Sequence, residues 1–236
     1  MIKAIPIIYE ENSMTNKITK ISDKSILHIH PFEEFIFAET KTLILGTFPG
    51  RDYTNPEMKN ETDDWYYGNK RNKFWNLLEY ALGYDENSLN TKAIKQEILR
   101  KHNLGITDIV QSAYRINNNN DDGSLKIEKV RNLNKTLKDY PNIKTIILTS
   151  KAMYKDFFTK NYVNCSNAVL QNDRMEIKIY QGEKINLYYY TFNNRRILVI
   201  PLYTPTYRGK ISFETKKKIY KQVLISVACY FNKKAI

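Results

Sequence analysis

Short apolar runs of strand length alternate along the chain with stretches in which apolar residues recur every three or four positions. Four runs stand out: Thr42–Gly46 (TLILG), Gly105–Val110 (GITDIV), Lys144–Leu148 (KTIIL) and Ile197–Pro201 (ILVIP). They lack strict alternation with polar residues, as strands of a parallel sheet covered on both faces do. Between them, Phe74, Trp75, Leu77, Leu78 and Leu82 make one helical face that stops at Gly83, a C-cap signal. Ile94, Ile98 and Leu99 repeat the pattern, and so do Leu125, Val130, Leu133 and Leu137 before Pro141. A last helix, from about Ser212 to Phe231, carries Lys216, Lys217, Lys218 and Lys221 on a basic side and apolar residues on the other. Strand, loop and helix in alternation predict an α/β fold with a mainly parallel four-stranded sheet.

One segment breaks the alternation. Met175–Tyr180 and Ile185–Phe192 read as a β-hairpin turning at Gln181–Gly182–Glu183–Lys184, an extra hairpin at the sheet edge and not a second domain. The polar run Asn117–Gly123 is a loop, and no internal repeat is present. The organisation expected is one domain over residues 1–236, with an N-terminal extension at 1–27 and a hairpin insertion at about 172–194.

Composition narrows the class. With 236 residues, 42% hydrophobic and 13% aromatic, the chain can bury a real core. Its 37 Lys+Arg against 25 Asp+Glu leave a net charge of +12, which suits a polyanionic partner. Three His and two Cys exclude an iron–sulfur cluster or a four-cysteine zinc site built within one chain. Cys165 and Cys229 read as reduced thiols, since no export signal is found. No apolar run approaches the roughly 20 residues of a spanning helix. A soluble, cytoplasmic protein with no membrane partner is expected, acting as a monomer.

Ligands of open α/β sheets gather beyond the carboxyl ends of the strands. After the first run comes Gly46–Thr47–Phe48–Pro49–Gly50–Arg51, where two glycines allow close backbone approach and Pro49 stiffens the loop. Such a loop can surround a flat ring or a phosphate; it is more commonly a plain tight turn. It is neither a Walker loop nor a dinucleotide fingerprint. Downstream, Trp65–Tyr66–Tyr67–Gly68–Asn69–Lys70–Arg71–Asn72–Lys73–Phe74–Trp75 interleaves rings with cations, a pattern that can stack bases and hold phosphates. On spacing alone Asn72 is a helix cap, and Phe74 and Trp75 are core. Tyr66 and Tyr67 are the better stacking candidates. After the last run, Pro201–Leu202–Tyr203–Thr204–Pro205–Thr206–Tyr207–Arg208–Gly209–Lys210 offers hydroxyls and cations on a stiff loop without histidine. His28 and His30 share a face if extended, yet lack the further ligands a metal needs. The pairs Asp63–Asp64 and Asp121–Asp122 read as solvated loop acids.

Taken together, the three loops resemble the uracil-DNA glycosylase superfamily, and most closely its hypoxanthine-DNA glycosylase branch, often called family 6. Gly46–Gly50 matches a first motif of the form G-S/T-F/M-P-G, and Tyr66–Trp75 matches Y-Y-G-x-P-R-N-x-F-W with Lys70 in the proline's place. His30–Pro31–Phe32–Glu33 and Gly105–Val110 also look familial, and the resemblance runs from about residue 28 to 225. It implies a three-layer α/β/α sandwich and a monofunctional DNA glycosylase that needs no cofactor or metal. The enzyme would hydrolyse the N-glycosidic bond of a deaminated or modified base, of hypoxanthine or uracil type, flipped out of DNA.

On this resemblance Asn72 aligns with the catalytic asparagine and positions a water. Gly46, Thr47, Phe48, Pro49, Gly50, Tyr67, Thr149 and Ser150 would meet the base, with Phe48 stacking on it. Arg71, Tyr203, Thr204, Pro205, Thr206, Tyr207, Arg208 and Lys210 would hold the DNA, with Tyr203 or Tyr207 filling the vacated stack. Two departures bear on base choice. Thr149–Ser150 stands where the branch usually has Asn-Gly, and Leu202–Tyr203 replaces small polar residues of P-S-T-S-P-A. With the hairpin, they suggest an altered pocket, suited to a bulky modified base. The competing readings are a catalytically silent nucleic-acid-binding module of the same fold and a nucleosidase acting on free nucleosides.

Overall fold

A computed structural model of the chain describes residues 26–54, 65–69, 71–116, 119–163 and 170–232. The Asp63–Asp64 pair, Lys70, Cys165 and almost all of the expected N-terminal extension lie outside them. The elements run β1 (Leu27–Ile29), β2 (Thr42–Gly46), α1 (Arg51–Thr54), α2 (Phe74–Leu82), α3 (Lys92–Lys101), β3 (Leu104–Asp108), β4 (Val110–Arg115) and β5 (Leu125–Val130). Then follow α4 (Leu133–Asp139), β6 (Thr145–Leu148), α5 (Lys151–Met153, continued as a π-helix over Tyr154–Val163), β7 (Leu170–Lys178), β8 (Lys184–Phe192), β9 (Arg195–Pro201) and α6 (Phe213–Asn232).

The main sheet has the order β3-β2-β6-β9-β8-β7. The first four strands are mutually parallel, and β8 and β7 extend the sheet antiparallel beyond β9. These are the four apolar runs plus the hairpin, joined in one six-stranded sheet.

Its faces follow from the period of two along each strand. Leu43 and Leu45 of β2, Ile146 and Leu148 of β6, and Ile197 and Val199 of β9 point to one core with α4 and the α5 π-helix. Ile44, Ile147 and Ile200 point to the other, against α2, α3 and α6. Helices on both faces of one sheet make the three-layer α/β/α arrangement. The apolar face read for α2 is buried through Phe74, Trp75, Leu77 and Leu78, and Gly83 ends the helix at φ +79°, a conformation that favours glycine.

Two readings are corrected. Leu125 and Val130 do not belong to the helix of Leu133 and Leu137: they lie on β5, which pairs antiparallel with β4, and β4 pairs with β1. The apolar spacing of 125–137 joins a half-buried strand to a short helix capped by Asn132, whose side chain accepts the Lys135 N–H. The run Gly105–Val110 likewise spans a strand end and the start of β4. The second correction is Lys216. It does not stand on the basic outer side of α6; it is 2% exposed and turned inward.

Candidate active site

With β3, β2, β6 and β9 adjacent and parallel, the residues after their carboxyl ends share one rim. Loop 46–50 is tied down from below. The Ile109 and Val110 N–H groups donate to the carbonyls of Gly46 and Thr47 at 2.8 and 2.9 Å. Arg115, reaching from β4, donates to the Pro49 carbonyl at 2.5 Å, and its guanidinium lies 5.3 Å from the centre of the Phe48 ring. Phe48 is thereby buried, with the His30 ring edge-on at 6.0 Å. Thr47 is buried too.

Gly46 carries the tightest constraint on the rim. A Cβ there would stand 2.0 Å from Asp108 Oδ1 and 2.2 Å from the Tyr67 hydroxyl. Those two groups, from the end of β3 and from the loop before α2, therefore occupy the space over the end of β2. Tyr67 shares a hydrogen bond with the Thr149 hydroxyl at 3.2 Å and packs its ring 4.5 Å from that of Phe74. Its φ of +57° is rare for a bulky side chain and costs about 1–3 kcal/mol, so those contacts must hold it. Burial drives the hydroxyl's pKa well up. Gly46→Ala should destabilise the fold by about 1–3 kcal/mol, the range for overpacking. Urea unfolding would measure it; an unchanged midpoint would show that Asp108 and Tyr67 can withdraw freely.

The remaining loops close a circuit. The Lys73 N–H donates to the Pro205 carbonyl at 2.7 Å, joining the head of α2 to loop 202–210. Thr204 donates to the Ser150 hydroxyl at 3.3 Å, and Thr149 next to it meets Tyr67. Within the circuit Asn72 is half-buried, and its Oδ1 accepts the Phe74 N–H at 2.9 Å, an Asx turn onto the first helical residue. The N-cap of α2 is Lys73, which makes no side-chain cap bond, so Asn72 ties down the head of the helix from the residue before it and not as the N-cap that spacing predicts.

Other expected residues fall elsewhere. Tyr66 is 1% exposed and donates its hydroxyl to the Glu33 carbonyl, so it is core and not a stacking platform. Leu202 is fully buried. The Tyr203 hydroxyl is bound by Lys151 and donates to Glu183 of the hairpin, whereas Tyr207 is 65% exposed with the Lys73 ammonium 5.3 Å from its ring centre. Arg71, Arg208 and Lys210 are exposed. His28 bonds Thr54 and His30 bonds Asp108, so the two histidines take separate partners.

Two contributors escape sequence reasoning. His30 and Asp108 meet across 78 positions, and nothing in either segment announces the pairing. Lys216 donates to the carbonyls of Thr204, Thr206 and Arg208; a lysine among four on a helix carries no signal of being the inward one.

The fold is that of an α/β protein with a mainly parallel sheet, and the rim at its carboxyl edge is the candidate ligand site. Among the described residues, no helix is long and apolar enough to cross a membrane. The family model of the uracil DNA glycosylase superfamily matches residues 34–227, and the chain belongs to that superfamily. It is 31% identical over 121 residues to the hypoxanthine DNA glycosylase of Methanosarcina barkeri (strain Fusaro / DSM 804), a match covering 51% of this chain and 70% of that protein. A solution NMR structure of a candidate uracil DNA glycosylase from Methanosarcina acetivorans is similar in fold. The TM-score is 0.55 at 14% identity, over 86% of this chain and 99% of that one.

Proposed function

We propose that the protein is a monofunctional DNA glycosylase that hydrolyses the N-glycosidic bond of a deaminated or otherwise modified base, of hypoxanthine or uracil type, flipped out of DNA. Family membership supports the reaction class. The observation that carries the site is the circuit joining Tyr67, Thr149, Ser150, Thr204, Pro205 and Lys73 around the head of α2, where Asn72 sits.

Asn72 Oδ1 gives one lone pair to the Phe74 N–H, which fixes the amide, and keeps a second for a water. An amide is a poor base. It contributes by holding the water against a sugar carbon that becomes cationic as the base departs. Gly46, Phe48, Pro49 and Gly50 bound the base together with Tyr67 and Thr149. Thr204, Thr206, Arg71, Arg208 and Lys210 take the flanking phosphates, and exposed Tyr207 fills the vacated stack.

One observation favours the silent binding module: Asn72 ties down the head of α2 through its Asx turn whether or not it does chemistry. The test is a panel of single- and double-stranded oligonucleotides carrying deoxyinosine, deoxyuridine, deoxyxanthosine or bulky substituted pyrimidines, followed by hot alkali. Strand scission at one base is expected. Salt-dependent binding, with a log–log slope of about −0.9 per phosphate, and no scission on any of them would assign the silent module instead.

A further inference from the structure

We infer that Asp108, held by His30, is the acceptor that reads the base, and that it selects bases presenting a ring N–H beside a carbonyl, the lactam edge. This rests on the glycosylase reading above and names the residue that selects among its bases. Asp108 stands at the carboxyl end of β3 and is 4% exposed. Its Oδ2 lies 2.9 Å from His30 Nε2. The direction of that bond is set one step further back. The Phe32 N–H donates to His30 Nδ1 at 3.1 Å, so Nδ1 is the acceptor nitrogen and Nε2 carries the proton given to Asp108.

The other carboxyl oxygen, Oδ1, is buried and has no hydrogen-bond partner among the described residues. A buried polar atom without a partner is costly unless a ligand satisfies it. This oxygen stands over Gly46, in the space it shares with the Tyr67 hydroxyl, and that hydroxyl is bonded to Thr149. With the Tyr67 hydroxyl moved away, the cluster offers one fixed acceptor, Oδ1, beside the Thr149 hydroxyl, whose proton otherwise goes to Met153 Sδ at 3.6 Å, a weak acceptor. A lactam edge is complementary: its N–H meets Oδ1 and its carbonyl accepts from a hydroxyl. The base takes the place of the Tyr67 hydroxyl, whose residue carries a strained left-handed backbone there.

Asp108→Asn is the informative variant. The His30 N–H still needs an acceptor, so the new amide turns its oxygen to His30 and its NH2 toward the base. That substitution keeps the buried pair and reverses only what the base meets. Single-turnover excision would be measured on DNA carrying deoxyinosine or N1-methyldeoxyinosine, with melting curves for both proteins. The native protein should strongly prefer deoxyinosine. Folded Asp108→Asn should lose on the order of 10- to 100-fold on deoxyinosine, the range for a charge-assisted hydrogen bond, and its preference should shrink to a few-fold. A folded variant that keeps the native preference overturns the inference, and so does an equal loss on both substrates.

Calorimetry with free hypoxanthine and free 1-methylhypoxanthine separates this from failure of the glycosylase reading. If the native protein excises neither these bases nor any of the wider panel above, that reading fails. Preferential binding of free hypoxanthine, lost in Asp108→Asn, still supports the Asp108 role; equal binding by both proteins overturns it.

Discussion

Asn72→Ser should leave the protein folded and DNA-bound while single-turnover excision falls by about 10²- to 10⁴-fold, the worth of a group that places or polarises the attacking water. Serine is chosen because Asn72 has two tasks. Its Oδ1 accepts the Phe74 N–H at the head of α2, and a serine hydroxyl can make the same kind of bond. Alanine would remove the Asx turn along with the amide, a hydrogen bond worth about 1 kcal/mol of stability, so lost activity could be blamed on a frayed helix. The comparison is therefore between excision rate and urea midpoint in the same variant. A large fall in rate with the midpoint within about 0.5 kcal/mol of native assigns chemistry to the amide. Excision within a few-fold of native would leave Asn72 a structural residue at the head of α2 alone, and the water would have to be held by another group on the rim.

That double duty explains how much of the molecule could be read in advance. The four parallel strands are legible because each is buried on both faces, which only a run of apolar residues permits. The hairpin is legible because a Tyr- and Ile-rich pair of segments brackets a turn, and it joins the sheet beside β9. The three-stranded sheet is not. β5 is half-exposed, with a burial rhythm interrupted at its end, and its apolar residues happen to fall three to five apart. Likewise the loops of the rim follow from where parallel strands end, whereas their cross-links do not. Tyr67 with Thr149, and His30 with Asp108, are pairings of residues 82 and 78 positions apart. Neither local spacing nor residue type encodes them; His30 meets Asp108 because β1 pairs with β4 just after β3, and Tyr67 meets Thr149 because the loop before α2 lies over the ends of β2 and β6. Tyr66 and Tyr67 are adjacent and identical in sequence, yet one is core and the other stands on the rim. The difference lies in a positive φ at Tyr67 that propensity gives no reason to expect in a tyrosine.

Lys216→Met should cost about 2–4 kcal/mol of stability and weaken DNA binding at least tenfold, although Lys216 cannot itself reach a phosphate. Its ammonium is buried and spends its three donors on the carbonyls of Thr204, Thr206 and Arg208, at 3.1, 2.7 and 2.8 Å. Those residues form the loop proposed to grip DNA, and the curl is tightened by the Thr206 N–H, which donates to the Thr204 carbonyl at 2.8 Å, and by Gly209 at φ +109°. Burial lowers the pKa of the ammonium, so the carbonyl cage is what makes keeping a charge there tolerable. Methionine preserves most of the aliphatic packing and strands the carbonyls, each worth roughly 1–3 kcal/mol if it stays dry and less if water enters. Lys218→Gln is the control. It removes the same charge from the same helix at an exposed position, and should change stability by no more than about 0.5 kcal/mol. If Lys218 contacts a phosphate, its removal lowers the salt slope by about one while the loop stays intact. Urea unfolding and binding isotherms at two salt concentrations distinguish the cases. Equal losses of affinity in both variants, with both urea midpoints native, would mean that Lys216 acts only through its charge. A larger loss in Lys216→Met, together with the lowered midpoint, identifies it as the residue that shapes loop 202–210 from inside the fold.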